Sequence, residues 1–556
     1  TQSTWGVHAT STMASTPLQP LLHAAPAGAS KFLYPVVVTS LVALLCSASV
    51  LLTFHLSTLG PPLSDQLLSV CIHARDVEKP CRDIVSQAIM QNTKNENLLQ
   101  HLLRDSASRV GKFTDKAKLL ASFPMDGRRR AAIDTCLDLM DLSVDRLAES
   151  MNAVTVPGRE SDVHTWLSSV LTNHVTCLEE LAGEAHIALS SSLDDLILRA
   201  RTILAAFVDA HSPEREIPAE GEFPSWLSRS DKQLLGFSGT SIVADVVVAQ
   251  DGTGKYRNIT DAVAAAPANS KTRYVIYVRS GTYVENVQFG KSLKNIMLVG
   301  DGMNRTIISG SLNVIDGSTT FNSATVAAVG DGFIAQDLWF KNTAGPEKHQ
   351  AVALRLGADK SVINRCQIDA FQDTLYAHSN RQFYKECNIT GTVDFIFGNA
   401  AVVFQNCSLV PRRPMANQQN MITAQGRTDP NQNTGISIQF CNITASVDLN
   451  PVVKNFSTYL GRPWKEYSRT VVMQSNISSV VDPAGWAPWD GQFALSTLYY
   501  GEYKNTGPGS NTSKRVTWPG YHPVLNTSEA ANFTVVNLIQ GDTWLPGYGI
   551  LFSPGL

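Results

Sequence analysis

Between residues 62 and 212 apolar residues return at intervals of three and four. The stretches "ENLLQHLLRDSASRV" (96–110) and "CLDLMDLSVDRLAESMNAV" (136–154) carry this pattern, and Gly and Pro are scarce around them. Amphipathic helices packed as a small bundle are predicted. The pattern breaks over 212–240, "SPEREIPAEGEFPSWLSRSDKQLLGFSGT", where Pro, Gly, Ser and charge read as a linker. From residue 241 onward the period changes. "VIYVRSGTY", "IMLVG", "TVAAVG" and "AVVFQNC" are short, rich in β-branched residues and bounded by Gly or Asn, which predicts strands.

A repeat runs through this second half. "VINRCQI", "FYKECNI", "VFQNCSL" and "IQFCNIT" share one form, with cysteines at 366, 387, 407 and 441, spaced by 21, 20 and 34. A strand unit recurring near 21 residues predicts a solenoid, a parallel β-helix with one coil per repeat, the longer spacing being a coil with an extended loop. An antiparallel β-sandwich is the runner-up, but hairpin signals are sparse. The predicted architecture is thus an N-terminal all-α helical bundle followed by an all-β parallel β-helix over 241–556.

Composition adds a compartment. Following the tail 1–34, Pro35–Phe54 is 20 residues without a charge, long enough to span a bilayer, and reads as a signal anchor or signal peptide. Outside that run lie eight cysteines, and ten Asn-X-Ser/Thr sequons all fall in the second half, as suits a secreted chain. Residues 1–235 carry 20 Lys and Arg against 26 Asp and Glu; residues 236–556 carry 25 against 22. There is no basic run or zinc-finger spacing to suggest nucleic acid.

The candidate chemistry centres on "GTVDFIFGNA" (391–400), where Asp394 interrupts an apolar run. Asp373 in "FQDTLY" lies 21 residues earlier, one coil back. Residues one coil apart stack at roughly 4.8 Å, and a carboxylate pair at that distance splits its pKa values into an acid and a base or nucleophile. Gln372 adjoins Asp373 and Gln350 lies 22 residues before Gln372, so two amide donors reach the same patch and suit a developing oxyanion. A structural amide ladder is the plainer reading of those glutamines. In "YLGRPWKEYSRTV", Arg462 is a counter-charge for an ionised Asp or a sugar carboxylate, and Trp464 a stacking face for a sugar. Tyr376 and Phe397 either line the same groove or pack inside. His349, His378 and His522 show no metal-ligand spacing and are expected at the surface. There is no Gly-X-Ser-X-Gly elbow, and "QDGTGKY" lacks the upstream Gly and the Ser or Thr of a phosphate loop.

Together "GTYVENV" (281–287), "QAVALR" (350–355), "FQDTLY" (371–376), "GTVDFIFGNA" and "LGRPW" (460–464) closely resemble plant pectin methylesterases over essentially all of 240–556. The resemblance implies a right-handed parallel β-helix that hydrolyses C6 methyl esters of galacturonate units in homogalacturonan without metal or cofactor. It implies that Asp394 is the nucleophile and Asp373 the acid and then the base. Gln350 and Gln372 would form the oxyanion hole, with Arg462 holding Asp394. Thr282, Tyr376, Phe397 and Trp464 would join Gln350 and Arg462 in binding sugar. Residues 62–212 resemble the pectin methylesterase inhibitor domain through "CLDLMDLSVDRLAES" and "DVHTWLSSVLTNHVTCLEEL", implying Cys71–Cys81 and Cys136–Cys177 disulfides. A Cys407–Cys441 bridge is implied for the β-helix, and Cys366 and Cys387, in coil register, are a further candidate pair. The implied partners are pectin, the chain's own inhibitor-like pro-region, separate proteinaceous inhibitors, a subtilase, and a membrane before processing, on a route through the Golgi to the cell wall. Two departures stand out. "CIHARDVEKPC" lacks the usual Tyr-Pro and is one residue longer, and the linker has "DKQLL" (231–235) in place of a dibasic processing site. A pectin-cleaving glycoside hydrolase is the alternative for the Asp pair, though it needs no oxyanion hole. A non-enzymatic wall-binding scaffold is the third reading.

Overall fold

The computed structural model describes residues 70–91, 97–211 and 243–556, which belong to one compact unit, Leu67–Leu556. The charge-free run 35–54 and the linker with its "DKQLL" lie outside the described residues. Among the described residues no helix is long and apolar enough to cross a membrane.

The N-terminal body is built from α1 (Glu78–Gln91), α2 (Leu98–Ala121), α3 (Gly127–Ala153), α4 (Glu160–Glu180) and α5 (Gly183–Ala210). The four long helices, α2 to α5, form the bundle. Their starts follow local chemistry: the Asn97 side chain accepts from Leu99 N–H at 2.9 Å and the Asp126 side chain from Arg129 N–H at 2.9 Å, satisfying donors that a helix N-terminus leaves open. The apolar stripes meet in a core with Leu103, Val110, Leu139, Leu147, Leu171, Leu193 and Leu204 fully buried. Cys71–Cys81 and Cys136–Cys177 are both disulfide-bonded.

The second half is a parallel β-helix with three faces: sheets of eleven, seven and eight strands, every strand pair parallel. Registers such as Leu354↔Leu375 and Leu375↔Ile396 stack like side chains on successive coils, and the resulting apolar column is buried along the solenoid axis. Each face meets a different surrounding. The outer surface of the eleven-stranded sheet is covered by C-terminal residues including Val535, Leu538 and Trp544. The eight-stranded face alternates buried and wet positions, with sequon residues Asn388, Asn442 and Asn476 on its wetter side. The seven-stranded face is covered by the bundle, as described below.

The cysteine repeat does mark the coils. Gln367↔Asn388↔Ser408↔Asn442 pairing puts Cys366, Cys387, Cys407 and Cys441 in one inward row. The Cys407–Cys441 bridge is not formed, and neither is Cys366–Cys387: all four are free buried thiols. In-register side chains on parallel strands point the same way and stay near the inter-strand spacing, whereas a disulfide needs its sulfurs about 2 Å apart. An amide ladder is also present, but elsewhere: Gln405 Nε2 donates to Gln439 Oε1 at 2.9 Å, and Gln439 Nε2 to Gln474 Oε1 at 2.8 Å.

Candidate active site

Asp373 and Asp394 lie two residues ahead of the paired Leu375 and Ile396 and so hold one position on successive coils. Both adopt left-handed backbone, with φ of 62° and 52°, a conformation that costs energy for residues other than Gly and gathers at functional sites. Between them Gly391 is obligatory: a Cβ there would come within 2.2 Å of the Phe395 Cβ. With no side chain at 391, Phe395 plugs the solenoid core directly behind Asp394, fully buried.

Asp394 turns away from that core toward Arg462. Nε of Arg462 donates to Oδ1 at 2.8 Å and Nη2 to Oδ2 at 2.7 Å, a bidentate pair that fixes both charge and orientation. The guanidinium lies 4.2 Å from the centroid of Trp489. Asp373 has no such clamp. Burial raises both carboxyls above the ordinary range; the nearby Asp394 charge pushes Asp373 further, well above it, while the bonds from Arg462 oppose the rise at Asp394. The two carboxyls are thus held apart, with the protonated form favoured more strongly at Asp373 than at Asp394. Gln350 and Gln372 are joined as a parallel bridge on adjoining coils. Unlike the glutamines of the ladder, their side-chain amides make no hydrogen bond among the described residues.

Beside the carboxylates runs a row on the outer face of the seven-stranded sheet, Arg355↔Tyr376↔Phe397↔Ala424 in register. Tyr376 and Phe397 stack at 4.2 Å with planes 21° apart, and Trp464 presents its edge to both, at 6.4 and 5.8 Å. Gly426 makes room for the indole; a Cβ there would sit 2.8 Å from Trp464 Cε3. The aromatic residues thus line a groove instead of filling the solenoid core. Thr282 is not brought to it. Thr282 belongs to Gly281–Val284 in the eight-stranded sheet, where it is exposed, because the neighbouring strand of the groove face is Val287–Phe289.

The helical bundle lies over this groove. Thr176 Oγ1 and His378 Nε2 are 2.9 Å apart, Asn399 Nδ2 donates to Thr172 Oγ1 at 2.9 Å, and Gln432 Nε2 donates to the Ser168 carbonyl at 3.0 Å, all from α4. Ion pairs flank these bonds: Arg381–Asp162 at 2.6 Å, Arg146–Asp331 at 2.5 Å, Arg201–Asp429 at 2.7 Å, and Lys465 with Glu179. Val352, Tyr376, Phe397 and Ala424 join the apolar cluster of the bundle, which leaves Tyr376 and Phe397 only 4% exposed.

His378 corrects the expectation of a surface histidine. It is 2% exposed, packed edge-on against Phe321 and Tyr376, and burial drives its pKa down to about 3. His349 is exposed and His522 half-buried. Trp489, Phe321 and Arg355 were not legible as site residues. Trp489 lies in a bend and Phe321 in the short 3-10 turn Phe321–Ser323, both without coil register, and Arg355 reads from sequence as one charge in a strand.

Comparison with known proteins agrees with this geometry. A family model described as Pectinesterase matches residues 245–542, and one described as Plant invertase/pectin methylesterase inhibitor matches residues 65–202. The chain is 56% identical over 480 residues to "Pectinesterase 2.1" of Solanum lycopersicum, covering 85% of this chain and 87% of that one. It is 52% identical to "Pectinesterase/pectinesterase inhibitor 18" of Arabidopsis thaliana, covering 93% and 96%. Among solved structures, the pectin methylesterase from carrot is 62% identical with a TM-score of 0.56. All of that carrot chain corresponds to 57% of this one. The chain therefore belongs to the pectinesterase family, carboxylic ester hydrolases, and carries a pectin methylesterase inhibitor domain in the same polypeptide.

Proposed function

We propose that the β-helix removes C6 methyl esters from the galacturonate units of pectin by covalent catalysis, and that the bundle holds it silent until displaced. The observation that carries the reading is the buried carboxyl pair in which Arg462 clamps one member alone. Ionised Asp394 attacks the ester carbonyl carbon, and the amides of Gln350 and Gln372 donate to the oxyanion of the tetrahedral intermediate. Its collapse breaks the bond to the methoxy oxygen, which takes the proton of Asp373 and leaves as methanol. The resulting acyl-enzyme joins Asp394 to the sugar carbonyl. Asp373, now a base, accepts one proton from water; the water oxygen attacks the same carbonyl, the bond to Asp394 breaks to regenerate its carboxylate, and the galacturonic acid formed gives its remaining proton to solvent. Tyr376, Phe397 and Trp464 supply stacking faces for the sugars, with Thr282 left outside the groove.

The neutral contacts of α4 through Ser168, Thr172 and Thr176 with Gln432, Asn399 and His378 support a cover that can separate from the groove. A subtilase acting near "DKQLL" is the proposed means of release, and separate proteinaceous inhibitors would compete for the same face. The secretory route to the cell wall rests on the run 35–54 and the sequons.

The test is methanol release from esterified pectin by residues 241–556. Asp394→Ala lowers it by at least about 10³-fold. Methanol release equal to that of the parent would overturn the nucleophile, and new reducing ends in place of methanol would overturn the reaction.

A further inference from the structure

Five arginines of the described residues are almost fully buried: Arg146, Arg199, Arg355, Arg381 and Arg515. Four have carboxylate partners: Asp331 for Arg146, Asp105 and Asp195 for Arg199, Asp359 and Asp162 for Arg381, and Glu502 for Arg515. Arg355, 4% exposed, has none. Its Nε donates to the Phe321 carbonyl at 2.9 Å, its guanidinium lies 3.4 Å from the centroid of the Phe321 ring, and Nη1 has no hydrogen-bond partner. A buried guanidinium with an idle donor is costly, and nothing in the solenoid requires it: the flanking Leu354 and Leu356 fill the core while Arg355 faces the groove.

We propose that Arg355 is the anion-binding element of a sugar subsite in the Tyr376–Phe397 row, and that it takes the free carboxylate of a galacturonate unit already stripped of its methyl ester. The proposal rests on pectin being the polymer in this groove. The position suits such a ligand. Arg355 is one coil from Tyr376 and two from Phe397, roughly 10 Å along the axis from the coil that holds Asp394, so a neighbouring unit of the same polymer reaches it. The planar fork matches a carboxylate, and the Phe321 and Tyr376 rings around it suit a sugar face.

The covered form holds a stand-in. Glu180, at the end of α4, accepts from Phe321 N–H at 3.4 Å through Oε1 and leaves Oε2 buried without a partner. Glu180 and Asp138 of α3 both interact electrostatically with Arg355. Burial lowers the Arg355 pKa to about 10, and Tyr376, Glu180 and Asp138 oppose that fall. The bundle thus offers carboxylates where the polymer would, without the close pairing that would lock them in place.

The test uses residues 241–556 with Arg355→Gln and Arg355→Lys, each checked for an unchanged melting temperature. A fully de-esterified oligogalacturonate is titrated in by calorimetry, and kcat/KM for methanol release is measured on fully esterified and on partly de-esterified pectin. Arg355→Gln weakens oligogalacturonate binding by about tenfold, the order of one lost charge-assisted contact. It lowers kcat/KM on partly de-esterified pectin by a similar factor and changes it less than about twofold on fully esterified pectin, with Lys recovering part of each loss. Unchanged binding, or equal losses on the two pectins, overturns the proposal. A parent that binds oligogalacturonate but releases no methanol fails the esterase reading alone, and calorimetry still decides Arg355.

Discussion

The two halves meet the same requirement, a buried core, by opposite means, and the contrast explains how one chain holds an enzyme beneath a detachable cover. The bundle is held by long-range helix packing and two disulfides. The β-helix has no disulfide among its described residues and is held by coil-to-coil ladders and a continuous apolar column. Each body has a core of its own, and the bundle's core continues onto Val352, Tyr376, Phe397 and Ala424 of the solenoid. The surface between them is mixed: hydroxyls of Thr172 and Thr176, the amides of Asn399 and Gln432, largely buried ion pairs such as Arg381–Asp162, and apolar contacts from Val352, Tyr376, Phe397 and Ala424. A surface with this polar share resembles interfaces between separable domains more than a domain core. The carboxyl pair and the aromatic row belong to the solenoid side, and the bundle meets them with hydroxyls, apolar side chains and the charged groups Arg146, Asp162, Glu179, Glu180 and Arg201.

The comparison breaks first at the cover itself. A cover worth about 3 kcal/mol leaves about 1% of molecules open, so residues 241–556 should release methanol about 100-fold faster than the full chain. Equal rates would show that the bundle does not close the groove in solution. The next test separates the two kinds of stabilisation. Cys136→Ser opens the Cys136–Cys177 link between α3 and α4 and should cost the bundle about 2–4 kcal/mol. The bundle transition in calorimetry then moves down, the β-helix transition stays, and full-chain activity rises toward that of the free β-helix. A downward shift of both transitions would mean that the two bodies fold as one.

The same contrast governs what the sequence disclosed. The helices were legible because periods of three and four persist over long stretches, and the coils because inward cysteines recur near 21 residues. That register also placed Asp394 over Asp373 and Gln372 beside Gln350, since a solenoid turns sequence spacing into proximity. What escaped is whatever depends on contact between the bodies. His378 reads as a surface residue until α4 lies on it, and the bare guanidinium of Arg355 is evident only when its surroundings are known. The Cys407–Cys441 expectation failed for a related reason: residues stacked in register share a direction as well as a neighbourhood, and sulfurs held side by side by parallel strands do not meet. Thr282 lies in a different sheet from the aromatic row because the chain changes sheets within "GTYVENV", between Gly281–Val284 and Val287–Phe289.

The smallest of these effects is a pH dependence of the cover, read through His378. In the closed form the imidazole is packed by Phe321 and Tyr376, with Thr176, Ser379 and the Arg355 charge around it. Burial first, and Arg355 second, lower its pKa from 6.5 to about 3. Once the bundle lifts, the ring loses Thr176 and its pKa rises toward the ordinary value, while Arg355, Phe321 and Tyr376 of the solenoid stay beside it. The open form then binds the extra proton, so the contribution of His378 to closure is complete above about pH 6.5 and is lost as pH falls toward the depressed value. Between pH 7 and pH 5 this amounts to about 2 kcal/mol at most. Glu180 and Asp138, raised by burial, act in the opposite sense, so the informative quantity is a difference between proteins. The full-chain rate is divided by that of residues 241–556 at each pH, which removes the titration of the Asp pair. From pH 7 to 5 that ratio should rise up to about 30-fold more in the parent than in His378→Gln, whose side chain can still bond Thr176 but takes no proton. If the two profiles run parallel, His378 does not sense pH, and closure is set by the ion pairs between the bodies.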